Sequence, residues 1–319
     1  MRLRDGLRVL PRSTDEVQVG TDPRWAVRVT DLLPDEVRAL VEHGADLPAG
    51  SDRLRAVSGE LVDAGLAARP ARARTAGAGP AAADLTLWGL LEGDPGRAKV
   101  AARSSRVVGV LGLGPTGAAV AVMLAAAGVG TVLLDDERPV RSSDVGVGGY
   151  RWGDVGSRRD VVVARLIRDT APRTRTGTTR EPDLVVLVEH GAADPVRAPV
   201  LLSTGVPHLS VVLTEAGAQV GPLVVAGDGP CLTCLDLHRA DLDSAWPAVA
   251  DALARPQVPG DEPGTLVASA AASSVTLCLD HLDGRLADGA WEIALPDVVP
   301  RRRDWAVHPS CGCTAQSWQ

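Results

Sequence analysis

Phenylalanine is absent from this chain of 319 residues, tyrosine occurs once, methionine twice, and aromatic residues amount to 3%. A core built on aromatic rings is thereby excluded. With hydrophobic residues at 45%, a sizeable interior has to be assembled from Val, Leu and Ala. Ala, Arg, Gly and Val stand where Lys, Ile and Phe are usual, a bias of a GC-rich genome that carries no functional message. Excess positive charge is also missing. A formal net charge of −7 argues against nonspecific nucleic-acid binding, which depends on neutralising phosphates. The two basic spots, Arg72–Arg74 and Arg301–Arg303, read as solvated surface. No basic and apolar signal sequence opens the chain, and no uninterrupted apolar run reaches membrane-spanning length, so no membrane partner is expected. Cysteine is scarce, at five residues. The expectation is a cytoplasmic protein with reduced thiols, where spaced cysteines serve as metal ligands more often than as disulfides.

What is present divides the chain in three. Residues 1–70 carry short alternating stretches, LRVLPRS, VQVG and WAVRV, separated by turns at Ser13–Glu16 and Gly20–Pro23. LLPDEVRALVEHG follows as a helix with Pro34 at its start and Gly44 at its end, then DRLRAVSGELVDAGL as a second helix closed by Gly65. Three strands and two helices in so short a piece suggest a winged-helix-like α+β domain. Residues 71–103 are read as a linker, from the low-complexity run PARARTAGAGPAAA, with LTLWGLLEG as a short strand or helix inside it. Over 104–319 the pattern changes to buried Val/Leu strands alternating with helical stretches: RVVGVLGLG, TVLLDD, DLVVLVEH, LLSTGVPHLSVVLTE and GPLVVAG. Such alternation predicts an α/β doubly wound, mostly parallel, Rossmann-like sheet covered on both faces.

GLGPTG, at Gly112–Gly117, follows a strand and opens a helix, the context that a nucleotide loop requires. Gly112 permits the tight turn, Gly114 lets backbone approach phosphate, and Gly117 lets the helix pack on the strand. Asp135 and Asp136 close the next strand, where a carboxylate can hold ribose hydroxyls. Against this stands Pro115, which has no N–H to offer a phosphate. The glycines would also be explained by close strand–helix packing alone. A nicotinamide dehydrogenase is a third reading, but it leaves the cysteines unexplained.

GPCLTCLDLH places Cys231 and Cys234 two residues apart, and WAVHPSCGC places Cys311 and Cys313 in a turn-rich tail. Three readings compete: a metal clip, a redox dithiol, or small core residues. A CxxC hook and a second close pair can give four thiolates to one tetrahedral zinc, which then ties two distant segments together. The second pair is CxC, so His308 is a substitute ligand to consider. Cys278, within the apolar stretch ASAAASSVTLCLDHL, reads as core.

Glycine loop, acidic strand end and distant cysteine pairs, in this order over residues 104–313, resemble the ThiF/MoeB/HesA family, bacterial relatives of ubiquitin-activating enzymes. VLGLGPTGAAVAVMLAAAGVGTVLLDD is similar to that family's phosphate loop, first helix and ribose strand. GDVGSRRDVVVARL is similar to its lysine-bearing helix start, and PLVVAGDGPCLTCLD and HPSCGC to its zinc segments. The resemblance implies ATP and magnesium, adenylation of the C-terminal glycine of a small carrier protein or peptide, and a homodimer. It implies also an Asn and an Arg after the ribose strand, a Lys at the helix start, and an Asp for magnesium after the next strand.

This chain departs at each of those positions. Ser143-Asp144-Val145-Gly146-Val147 replaces the Asn and Arg, with Arg151 the nearest substitute; Arg158 or Arg159 replaces the Lys; Glu189-His190 stands near the Asp. Two expectations follow. One is an eroded, zinc-stapled scaffold whose first domain resembles the winged-helix elements that bind leader peptides, presenting a peptide or carrier protein to a partner modifying enzyme. The alternative is an active adenylyltransferase in which Arg151 and Arg159 clamp phosphate and Glu189 holds magnesium. An open cleft lined by Asp135, Arg151 and Arg159 would favour the second, and a cleft filled by Val145–Tyr150 the first.

Overall fold

A computed structural model of the chain describes residues 1–68, 79–254, 260–285 and 289–314. Its backbone separates into two units, Met1–Val100 and Ala101–Gln319.

The first unit begins with β1 (Arg2–Leu3), then β2 (Val9–Pro11), β3 (Val17–Val19) and β4 (Val27–Val29), followed by α1 (Pro34–His43), α2 (Asp52–Asp63) and β5 (Ala67–Ala68). β2, β3 and β4 form an antiparallel sheet with β3 in the middle, and β1 pairs separately with β5. The alternation read from the sequence is visible as Val17 and Val19 pointing into the core while Gln18 does not. Pro34 opens α1, and the Glu36 carboxylate accepts the Leu33 N–H at 2.9 Å and the Ser51 hydroxyl. Ser51 in turn caps α2 by accepting the Leu54 N–H at 3.0 Å, so one buried carboxylate joins the two helix starts. Val37, Leu40, Leu54, Val57 and Leu61 meet the strands' valines in a shared apolar cluster. Two further helices, α3 (Ala82–Glu92) and α4 (Asp94–Ala102), occupy much of the stretch expected as linker, and Leu90 of α3 packs against that cluster. LTLWGLLEG is thus helical. The remaining part of the linker expectation, residues 69–78, lies outside the described residues, Arg72–Arg74 included.

The second unit runs β6 (Val107–Leu111), α5 (Pro115–Ala126), β7 (Thr131–Asp135), α6 (Arg159–Thr170), β8 (Leu184–His190), α7 (Arg197–Ser203) and β9 (His208–Thr214). It continues with β10 (Gly217–Val224), α8 (Leu232–Leu242), α9 (Trp246–Ala254), α10 (Gly264–Leu282), β11 (Ala290–Ala294) and β12 (Arg301–Arg303). One seven-stranded sheet has the order β12-β11-β10-β9-β8-β6-β7. β7, β6, β8 and β9 are parallel, as continuous Val/Leu runs predict, whereas β9 to β12 pair antiparallel. The reversal has a local cause: only Glu215 and Ala216 separate β9 from β10, too short for a crossover helix, so the chain turns back as a hairpin.

α5 and α10 cover one face of this sheet, and their alanines let them pack closely on Val110, Val186, Leu209 and Val211. Cys278 is fully buried there, and burial pushes its thiol far up. By length and composition alone α10 could cross a membrane, but Leu266, Val267, Ala270, Ala271, Val275, Leu277 and Leu282 are spent on the core of this unit. Arg301–Arg303 form an exposed edge strand whose charges pair with Asp297, Asp304 and Glu292.

Candidate nucleotide cleft and cysteine site

The glycine loop connects β6 to α5. Gly112 has φ +86°, and a Cβ there would lie 2.2 Å from the Val188 carbonyl oxygen; a Cβ on Gly117 would lie 1.8 Å from the Gly112 oxygen. Both positions therefore require glycine. Beside the loop is a cleft of about 800 Å³ whose lining includes Gly112, Asp135, Asp136, Glu189, His190 and Glu262. Asp135 is exposed at the end of β7, where its own carbonyl accepts the Gly112 N–H at 3.0 Å.

Charge around the loop is internally matched. Asp136 accepts the Leu113 N–H at 2.9 Å, both arms of Arg138, and Arg159 Nη1 at 3.0 Å. Arg159 reaches with its other arm to Asp144, which also holds Arg141. Burial pushes Asp136 up, yet Arg138, the Leu113 N–H and Arg159 together outweigh it and bring its carboxyl down to about 2. Asp144 is lowered likewise, burial being overcome by the Arg141 N–H and by Arg159. Arg159 is only 2% exposed and stands between two buried carboxylates; its charge is committed inside the protein.

The anion position at the start of α5 is also taken. Glu262 Oε2 accepts the Thr116 N–H at 2.8 Å, and a Cβ on Gly114 would lie 2.4 Å from Oε1. His190 Nε2 stands 3.1 Å from the same Oε1. This is the place where a helix N-terminus and bare glycine backbone would meet a phosphate. With that N–H occupied, Pro115 lacking one, and Arg159 enclosed, these residues do not fit a nucleotide triphosphate.

Arg151 does not reach this cleft. It lies on the exposed loop after Tyr150, its N–H donating to Asp154 at 2.9 Å, and it lines a separate apolar cavity beside Met123 and Leu166. Glu189 does line the cleft; one of its carboxylate oxygens is buried without a hydrogen bond, and burial raises its pKa. Val145–Tyr150 neither fills the cleft nor leaves the loop bare. Tyr150 donates to the Leu113 carbonyl at 2.6 Å, and Gly148 passes so near Pro115 that a Cβ would lie 2.5 Å from its oxygen. The segment seals the α5 side of the loop, and the cleft remains open beyond it.

The cysteines form the second site. Cys231 is the N-cap of α8 and Cys234 lies in its first turn. The tail returns along this helix: the Ala306 carbonyl lies 3.0 Å from His238 Nε2, His308 Nε2 donates to Asp241 at 2.9 Å, and the chain then delivers Cys311 and Cys313. Sulfur separations are 3.9 Å for Cys231–Cys234, 3.6 Å for Cys231–Cys311 and 3.5 Å for Cys234–Cys313. All four sulfurs lie within 4.8 Å of one another. Thiolates bound tetrahedrally at about 2.3 Å would stand about 3.8 Å apart, so the set fits one divalent ion. Burial and the neighbouring sulfurs Cys234 and Cys311 push the Cys313 thiol far up, a cost that a bound cation removes. His308 is not a fifth member: its Nδ1 accepts the Ser310 N–H at 3.1 Å, which leaves its other ring proton for Asp241.

No protein-family model and no curated protein sequence matches the chain. Solved structures do. E. coli MccB solved with SeMet MccA superposes with a TM-score of 0.67 at 15% identity, over 98% of this chain and 99% of that one. The chain has the fold of MccB. E. coli MccB solved with ATP gives 0.66 at 13% identity over 98% and 99%, and SeMet PaaA gives 0.67 at 14% over 94% and 98%. The MccB likeness spans both units, so the order of a small sheet-bearing piece followed by a doubly wound sheet is common to both proteins.

Within the MccB fold, the glycines, Asp135, Asp136 and the four cysteines are legible as spacings, and Glu189 only through the family resemblance. Glu262 and His190 carry no such signal. Glu262 lies 146 residues from the N–H it holds, in an unremarkable DEPGT stretch with no periodic or motif signal. In the sequence Asp144 is only a replaced Asn, and its partnership with Arg159 gives that replacement a physical sense: the carboxylate neutralises the cation beside it.

Proposed function

We propose that this protein is a ThiF-like scaffold retired from adenylation, which binds a leader peptide or small carrier protein through its first unit and presents it to a modifying enzyme. The observation that carries the reading is the enclosure of Arg159 between Asp136 and Asp144. Adenylation needs cations turned toward the transferring phosphates. Here the arginines lining the cleft are paired with carboxylates, Arg138 with Asp136 and Arg197 with Asp194, and Glu189 adds a further acid. Microcin C7 biosynthetic enzyme MccB was solved in complex with N-formylated MccA, which supports a peptide-like ligand for a chain of this fold.

In the first unit the three-stranded sheet has two outer strands, and Pro11 deprives β2 of one N–H. β4 is accordingly the edge that offers a full ladder to an added strand. In the second unit the four cysteines hold structural zinc, closing the tail onto α8.

The test is twofold. Purified full-length protein should bind synthetic leader peptides encoded beside its gene, read by fluorescence anisotropy. It should show no ATP–pyrophosphate exchange with acceptors ending in glycine. Exchange above background, or no affinity for any such peptide, overturns the reading.

A further inference from the structure

The carboxylate of Glu262 is the least expected feature of the cleft. It is buried, 2% exposed in its side chain, and comes from a segment remote in sequence from the loop that it contacts. Its Oε2 accepts the Thr116 N–H at 2.8 Å and its Oε1 faces Gly114 and His190. The position is held from behind. Glu262 immediately precedes Pro263, the N-cap of α10, and α10 is anchored in the core by eight side chains from Leu266 to Leu282. On its other side, Arg141 reaches the Gly260 carbonyl at 3.3 Å and Asp261 at 3.7 Å. A side chain fixed so closely by its backbone is not a surface acid that happened to swing in.

We propose that Glu262 is a built-in anion that occupies the phosphate cradle of the glycine loop and excludes phosphate-bearing ligands from it. Two physical effects act together. The carboxylate takes the N–H at the α5 terminus that would otherwise donate to a phosphate oxygen. Its negative charge, at hydrogen-bond distance from that point, repels any polyphosphate brought there. The proposal rests on the reading of this cleft as retired from adenylation and adds the residue that keeps it closed. Glu262 thereby determines ligand choice in the cleft: a neutral nucleoside can still approach Asp135, and its phosphates cannot follow.

The experiment uses the full chain and isothermal titration calorimetry with Mg-ATP, tripolyphosphate and adenosine. Glu262→Ala removes the anion, and Glu262→Gln keeps its shape and acceptor without charge. Each variant is first checked for a cooperative thermal transition. Affinity for both anions should rise roughly tenfold or more in Glu262→Ala, and in the same direction, less steeply, in Glu262→Gln, with any response to adenosine unchanged. A purely structural role for Glu262 would lower the melting temperature without changing anion affinity. Folded Glu262→Ala and Glu262→Gln proteins that bind ATP and tripolyphosphate no better than wild type overturn the proposal. Wild-type protein that binds ATP and catalyses exchange overturns the scaffold reading and the exclusion together. Variants that bind no tighter, with no exchange in the wild type, overturn the exclusion alone and leave the scaffold reading standing.

Discussion

At the cysteine site, four sulfurs stand 3.5–3.9 Å from their neighbours and are partnered chiefly by one another. At the glycine loop, Asp136, Asp144 and Glu262 are matched by Arg138, Arg141, Arg159, His190 and four backbone N–H groups. The first arrangement is one that a cation would complete, and the second has matched its loop carboxylates internally, while Thr116 Oγ1 and one oxygen of Glu189 stay buried without a hydrogen bond. Buried polar atoms are satisfied somewhere in a stable protein. The contrast teaches where each site's partner is to be sought: outside the chain for the thiols, inside it for the carboxylates.

The largest effect should come from emptying the first site. Chelation, or Cys231→Ser with Cys311→Ser, should release one zinc per chain by elemental analysis. It should also lower the melting temperature on the order of 10 °C, since metal-binding energy is folding energy here. A protein that contains no zinc as purified and ignores chelators would break the comparison on that side.

Next comes the buried ion network. Arg159→Ala removes the cation shared by two buried carboxylates, Asp136 keeping Arg138 and Asp144 keeping Arg141, and should cost about 2–3 kcal/mol in urea unfolding. Arg159→Met combined with Asp136→Asn and Asp144→Asn should recover much of that loss, because the buried charges then go together. An Arg159→Ala protein as stable as wild type would show that the arginine was available for a ligand.

A smaller effect follows from acid. Asp136 is held at about 2, below its ordinary 3.8. A depressed carboxyl contributes stability that is fully present above its unfolded value and lost as pH falls through the folded one. Unfolding free energy should therefore drop by about 2 kcal/mol between roughly pH 4 and pH 2 on this account, and Asp136→Asn should remove that component. Urea titrations across this range measure it.

In the first unit, strands and helices appear where turns, Pro34 and the closing glycines mark them, because short strands and capped helices are local decisions. The expected linker fared differently. Its second half is helical, since Ala and Leu favour a helix once Leu90 finds an apolar surface to cover. In the cleft, Arg151 and Arg159 had the same standing as sequence neighbours of a lost arginine and lysine. One lies on an exposed loop and the other in a buried ion network, a distinction that spacing does not contain.

By itself the sequence determined the doubly wound architecture, the glycine loop with its acidic strand end, and the paired cysteines, all of which are expressed within a few residues by periodicity, turn chemistry and ligand spacing. Only the tertiary structure decided that the four sulfurs converge, that β9 turns back as a hairpin to make half the sheet antiparallel, and that Glu262 lies on the N–H of Thr116. The reason is geometric. A hydrogen bond across 146 residues depends on where α10 packs against the sheet, and packing is a property of the assembled core that no local pattern encodes.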